Sequence, residues 1–328
     1  MAGRRYQKSA ATPRVLAALA GCLWASLAVT GAGAIENGVE PAADDAGARA
    51  TVIVTAGKGS CSGLVYGDSF ILTAGHCLLG RDFNAPIAPQ ALTVTYGRSL
   101  HPADAPTRQA TALVVHENLI SQFAAEVGDR NTAFENMPVN AEDIGLIRIA
   151  GTHPPGALGA ALPTINNDYA VCCLARERAW PLVWMDVYGF GAAPKGEALH
   201  KARVSAAAPD MVRPGKEPNA DQPYLPRQLL VTPEAPVDAP RPHPGGVCSG
   251  DSGGPAFFVT TSRSYALPDA PLKLVGGQPL AIGLVSHTVP PHATADAPAP
   301  DIPLCSPDFL LMRLDYYRDW IVAKAKQL

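Results

Sequence analysis

Residues Cys248 to Pro255, CSGDSGGP, set a serine hydroxyl among glycines. Glycine lets the backbone turn tightly, so successive amide N–H groups can converge on one point where negative charge develops. Ser252 is the candidate nucleophile. A serine hydroxyl is weak at its own pKa and needs an imidazole to take its proton. The imidazole in turn needs a carboxylate that fixes its tautomer and stabilises the imidazolium. His76, in Leu72–Cys77 (LTAGHC), and Asp143, in Glu142–Ile149 (EDIGLIRI), supply those groups. The chemistry is acyl transfer, with the three residues in the order His, Asp, Ser. An α/β-hydrolase esterase would need the order Ser, Asp, His and a different elbow spacing.

Short strands must carry these residues. His76 follows the apolar run Phe70-Ile71-Leu72, and Asp143 opens another, Ile144-Gly145-Leu146-Ile147. Alternation in Leu92–Tyr96 and in Thr51–Val54 predicts half-buried strands. At the end, Leu314, Tyr317, Ile321 and Ala325 share one face of a predicted helix, which reads as core packing. The chain has 328 residues, is 47% hydrophobic and carries a net charge of −3, enough apolar content for a substantial core. No basic run occurs beyond the first segment, so no nucleic-acid partner is expected.

These three motifs, in this order, resemble the chymotrypsin/trypsin-like serine proteases over roughly residues 35–325. Smaller matches agree: Val115–Asn118, Tyr188–Gly191, Leu284–His287 and Asp315–Ile321 resemble other segments of that family. The resemblance implies an all-β fold of two packed six-stranded antiparallel β-barrels with a C-terminal α-helix. Residues 35–165 are expected to form the first barrel, 166–181 the connection, 182–311 the second barrel and 312–328 the helix. It implies a serine endopeptidase with His76, Asp143 and Ser252 catalytic, and with Gly250 and Ser252 backbone N–H groups forming the oxyanion hole. Ser286 is expected to hydrogen-bond Asp143. A protein or peptide substrate and a protein inhibitor are the implied partners of a monomer, with no cofactor or metal. The alternative is a catalytically inactive binding protein on the same fold.

The first 34 residues read as a signal peptide. Arg4, Arg5, Lys8 and Arg14 precede an apolar stretch, Val15–Val29, and Ala32-Gly33-Ala34 forms an A-x-A cleavage site. The product is expected to be secreted or periplasmic, and the Ala- and Pro-rich composition fits a bacterial source. The apolar stretch is too short and too early for a permanent span. Cleavage after Ala34 would free Ile35, and the resemblance pairs that new amine with Asp251. A competing reading takes Leu19-Ala20-Gly21-Cys22 as a lipobox, with a lipid anchor on Cys22.

Six cysteines remain beyond the leader, an even number suited to an oxidising compartment. The resemblance pairs Cys61 with Cys77 and Cys248 with Cys305, each bridge stabilising by about 3–4 kcal/mol on the chain-entropy model. Cys172 and Cys173 have no counterpart. A vicinal disulfide, free thiols and a bond to another chain all remain open for them.

The substrate pocket is expected to involve Gly246, Val247, Ser286, His287 and Thr288. Gly246 stands where trypsin has its acidic pocket base, and Thr288 replaces a small glycine, which favours small or medium apolar side chains before the cut bond. Asp308 lies on a segment from which an acid reaches the pocket base in some relatives, so a basic or broad preference stays open. His287 replaces the family's tryptophan beside the cleft. Two Pro-rich stretches, 209–246 and 290–303, read as enlarged loops leading toward the pocket walls.

Overall fold

The computed structural model describes residues 35, 38–57, 59–80, 83–99, 104–126, 141–163, 182–191, 198–207, 228–231, 246–260, 270–288, 305–306 and 308–328. The leader, Cys22, Cys172, Cys173, the 166–181 connection and most of both Pro-rich stretches lie outside them.

After a one-turn helix, α1 (Ala46–Arg49), come β1 (Thr51–Ala56), β2 (Gly59–Tyr66), β3 (Phe70–Thr73), β4 (Leu92–Tyr96) and β5 (Thr107–Val115). A helix, α2 (Glu117–Glu126), precedes β6 (Gly145–Ile149). These six strands close a barrel in the order β1-β2-β3-β6-β5-β4. The chain then forms β7 (Leu182–Gly189), β8 (His200–Ala207), β9 (Gln228–Val231), β10 (Val247–Cys248), β11 (Pro255–Phe258), β12 (Leu274–Val275), β13 (Gln278–Pro279), β14 (Ala281–Thr288), β15 (Cys305–Ser306) and β16 (Phe309–Arg313). A second barrel closes as β11-β14-β16-β9-β8-β7, and β10 pairs with β15 as a short ribbon. A C-terminal helix, α3 (Leu314–Gln327), ends the chain. The two antiparallel barrels and the terminal helix match the architecture expected from the sequence.

Strands at the seam, such as β1, β2 and β3, contribute to two cores, because neighbouring side chains point to opposite faces. On β1, Val52 and Val54 fill the first barrel, while Ile53 faces the seam between the barrels. This explains why Thr51–Val54 is buried throughout instead of half-buried as its pattern suggested: the second barrel covers the outer face. Strand β4 has the expected alternation of buried and half-buried residues. The seam is closed by Leu64, Leu72 and Leu146 from one barrel and Tyr188, Phe257 and Leu284 from the other. Leu314, Tyr317 and Ile321 of α3 join the same cluster. Met312 and Arg313 belong to β16, where they pair with Gln228 and Gly283, so the helix begins at Leu314. At the start, Ile35 is buried within the second barrel's interior and Val39 pairs with Lys201 on β8.

Candidate active site

Three local structures bring the chemistry to the seam. Strand β3 ends at Thr73, and a 3-10 turn, Gly75–Leu78, presents His76. That turn packs closely: a Cβ on Gly75 would lie 2.5 Å from Leu119 and 3.0 Å from the Ile144 carbonyl oxygen. Asp143 immediately precedes β6, and Ser252 sits in the tight segment between β10 and β11.

The Asp143 carboxylate is fully buried and takes three hydrogen bonds. Its Oδ1 accepts from the His76 backbone N–H at 2.7 Å. Its Oδ2 accepts from His76 Nδ1 at 2.8 Å and from Ser286 Oγ at 2.7 Å. Burial opposes ionisation, but His76 and these hydrogen bonds prevail and hold the carboxyl below the usual range. An ionised carboxylate only accepts, so His76 donates to it from Nδ1, the arrangement in which a neutral ring keeps its lone pair on Nε2.

Ser252 Oγ donates to the Ser286 carbonyl oxygen, 3.4 Å away. Cys77 links the nucleophile and the base: its Sγ lies 4.0 Å from the Ser252 carbonyl oxygen and 3.6 Å from His76 Nε2. His76 and Ser252 are buried, each with 7% of its surface exposed. The ligand atoms of Cys61, His76 and Cys77 come within 4.8 Å of one another, but both sulfurs are joined in a disulfide and are not thiolate ligands.

The backbone after Cys248 is held from several directions. Gly250 has φ 91° and Gly253 has φ 79°, both left-handed, which a side chain resists. The Asp251 N–H donates to the Cys248 carbonyl at 3.0 Å, and the Gly253 N–H to that of Val285 at 2.7 Å. The N–H groups of Gly250 and Ser252 have no hydrogen-bond partner among the described residues. Asp251 points the other way, into the second barrel. Its carboxylate accepts from the backbone N–H groups of Ile35 (3.1 Å), Cys248 (2.7 Å) and Gly191 (2.8 Å). Burial pushes this carboxyl up to about 7, and the three N–H groups only partly offset it.

Both expected disulfides are present, Cys61–Cys77 and Cys248–Cys305. The second joins β10 to β15 beside Ser252, where Val247 pairs with Ser306. Gly246 and Val247 are buried, while His287, Thr288 and Asp308 are half-buried. Since Val247 faces Ser306, Asp308 follows two residues beyond that ribbon, and its N–H donates to Ser306 Oγ at 3.3 Å.

Sequence reasoning missed two supports. Ser62 on β2 crosses the seam: its Oγ donates to the Gly250 carbonyl at 3.1 Å and accepts from the Phe190 N–H at 3.1 Å, and its N–H donates to the Ser252 carbonyl at 2.8 Å. A serine within a strand carries no signal of such a role. The second is Glu142, whose Oε2 meets His116 Nδ1 at 2.6 Å. His116 in turn packs edge-on to Tyr317 with ring centres 5.6 Å apart. The terminal helix thus packs on His116, which in turn holds the residue next to Asp143.

Two closed barrels with a serine, a histidine and a buried aspartate at their seam define a class of two-barrel hydrolases. The comparisons agree. The family model described as Trypsin matches residues 35–276, so the chain belongs to the trypsin family of serine proteases. It is also similar to Trypsin-1 of Astacus astacus, with 23% identity over 209 residues, covering 62% of this chain and 73% of that protein. Membership of this family and the two disulfides fit an extracellular setting, and no helix among the described residues is long and apolar enough to cross a membrane.

Proposed function

We propose that the protein is a secreted serine endopeptidase that cleaves peptide bonds through His76, Asp143 and Ser252. The observation that carries this reading is the geometry at Asp143: one buried carboxylate holds His76 Nδ1 at 2.8 Å, and His76 Nε2 lies 3.6 Å from Cys77 Sγ, which is itself 4.0 Å from the Ser252 carbonyl oxygen. Proton transfer needs a Ser252 Oγ–His76 Nε2 hydrogen bond, which this reading assigns to the substrate complex. Such hydrogen bonds are often loose before substrate binds and tighten in the complex.

The reaction then runs in two halves. His76 Nε2 takes the Ser252 proton as Oγ attacks the peptide carbonyl carbon. The Gly250 and Ser252 N–H groups receive the oxyanion; losing one such donor typically costs about 3–4 kcal/mol in the transition state. His76 gives its proton to the leaving amine as the C–N bond breaks. Water, deprotonated by His76, hydrolyses the ester and restores Ser252.

The leader, residues 1–34, is removed after Ala34, and the new Ile35 amine pairs with Asp251. Several features support this step. The Ile35 nitrogen already lies 3.1 Å from Asp251 Oδ2. Ile35 also has φ 42° in the uncut chain, a left-handed conformation unfavourable to a β-branched residue. Cleavage removes that torsion altogether, since φ requires the preceding carbonyl carbon.

A fluorophosphonate probe tests the assignment on material whose N-terminus has been sequenced. Labelling of Ser252 in protein starting at Ile35 is expected. Correctly processed, folded protein that stays unlabelled would reject the endopeptidase reading.

A further inference from the structure

Strand β14 carries a second imidazole next to the site. Ser286 and His287 are sequence neighbours, so on a regular strand their side chains would point to opposite faces. They do not. Between Val285, which pairs with Leu311, and Thr288, which pairs with Phe309, β14 has one residue more than β16. A bulge of this kind re-aims side chains and is common beside functional sites. Here it brings His287 Nδ1 to 3.0 Å from Ser286 Oγ.

The protons in this chain of contacts are fixed by elimination. Ser286 Oγ has one hydrogen and lies 2.7 Å from Asp143 Oδ2. Asp143 is ionised and is the stronger acceptor, so the hydroxyl donates to it. Ser286 Oγ is left with acceptor capacity only. The contact with His287 must therefore be made by a hydrogen on His287 Nδ1. Burial lowers the His287 pKa to about 4, against the attraction of Asp143 and with the repulsion of His76, so the ring is neutral in ordinary buffers. A neutral imidazole protonated on Nδ1 has a bare lone pair on Nε2.

We infer that His287 Nε2 is a hydrogen-bond acceptor on the cleft wall that selects peptide substrates with a donor-bearing side chain, such as Ser, Thr, Asn, Gln or Tyr, near the cut bond. Two observations place His287 there. Its neighbour's carbonyl oxygen is 3.4 Å from Ser252 Oγ. His287 is itself half-buried rather than sealed into the core. A donor side chain gains one hydrogen bond to Nε2 that its apolar isostere lacks, and the net value of one such bond corresponds to about three- to tenfold discrimination.

This inference rests on the endopeptidase reading, and the experiment separates the two. Fluorophosphonate labelling of Ser252 is scored first. Unlabelled portions of the same wild-type, His287→Gln and His287→Phe preparations are then profiled on a peptide library pairing each donor residue with its isostere: Thr with Val, Asn with Leu, Tyr with Phe. Wild type should favour donors by about three- to tenfold at one position. His287→Gln, which keeps an acceptor, should retain that preference, and His287→Phe should reverse it. Equal profiles for wild type and His287→Phe in enzyme that labels normally would overturn the inference alone. The imidazole nitrogen shifts of His287 in the Ser252→Ala protein give a reading independent of catalysis. A hydrogen on Nδ1 from pH 5.5 to 8 is expected, and a hydrogen on Nε2 overturns the inference whatever the labelling shows.

Discussion

The Ile35 backbone nitrogen lies 3.1 Å from Asp251 Oδ2 across 216 positions of sequence, inside the second barrel. Asp251 is fully buried, and its hydrogen-bond donors among the described residues are backbone N–H groups. A carboxyl so placed is hard to ionise, and its pKa is raised to about 7.

That relationship predicts how stability depends on pH before and after processing. In the uncut chain the folded pKa is above the unfolded one, so the native state binds more protons between about pH 4 and 7. Its stability is then full below pH 4 and falls as pH rises to 7, by about 4 kcal/mol. Once Ile35 carries a free ammonium, the charge pair lowers the Asp251 pKa and this fall disappears. Urea unfolding of Ser252→Ala protein, with and without Ala34 attached, checks it at pH 4.5 and 7.5. Parallel pH dependence in the two forms would refute it, and Asp251→Asn should flatten the uncut form.

Asp143→Asn should leave a folded protein with kcat lower by about 10⁴-fold. The aspartate oxygens meet three donors, the His76 N–H, His76 Nδ1 and Ser286 Oγ. An amide has one oxygen and turns an N–H₂ toward at least one of them. His76 then moves its proton to Nε2, where it cannot act as the base for Ser252. Steady-state kinetics with circular dichroism as the folding control decides; activity within tenfold of wild type would contradict the assigned role of Asp143.

Much of this arrangement was legible in the residues. His76, Asp143 and Ser252 sit in motifs with unusual local chemistry, and the apolar runs before and after them marked strand ends. Ile35 and Asp251 were paired from the resemblance alone, and the fold brings the same two together. What stayed hidden depends on partners far apart in sequence. Thr51–Val54 looked half-buried because the strand pattern says nothing of the second barrel that covers its outer face. Ser62 reads as any strand serine until the barrels dock. The rotation of His287 toward Ser286 comes from an extra residue in β14 relative to β16, and register between strands is not written in either strand by itself.

Gly253→Ala should destabilise the protein by about 2–5 kcal/mol. Gly253 has φ 79°, and an added Cβ would come within 2.1 Å of Thr73 Oγ1 and 2.4 Å of the Ser62 carbonyl oxygen. The strain falls on the first barrel through Thr73 and Ser62 and on the nucleophile segment through Gly253 itself. Thermal unfolding measures the effect. A melting temperature equal to wild type would mean that the barrels do not approach so closely here.

Ser62→Ala separates positioning from simple packing. The serine hydroxyl holds the Gly250 carbonyl at 3.1 Å and the Phe190 N–H at 3.1 Å. Removing it strands a buried acceptor and a buried donor, at a cost of about 1–3 kcal/mol. It also loosens the Gly250–Asp251 peptide, which lies between the Gly250 and Ser252 N–H groups and helps to set their relative direction. Those donors matter most when charge develops on the carbonyl oxygen of a substrate. The loss should therefore fall on kcat, by about tenfold, with KM nearly unchanged. Ser62→Thr keeps the hydroxyl and should recover most of kcat. If Ser62→Ala instead raises KM at constant kcat, or lowers stability alone, the hydroxyl serves the seam and not the oxyanion site.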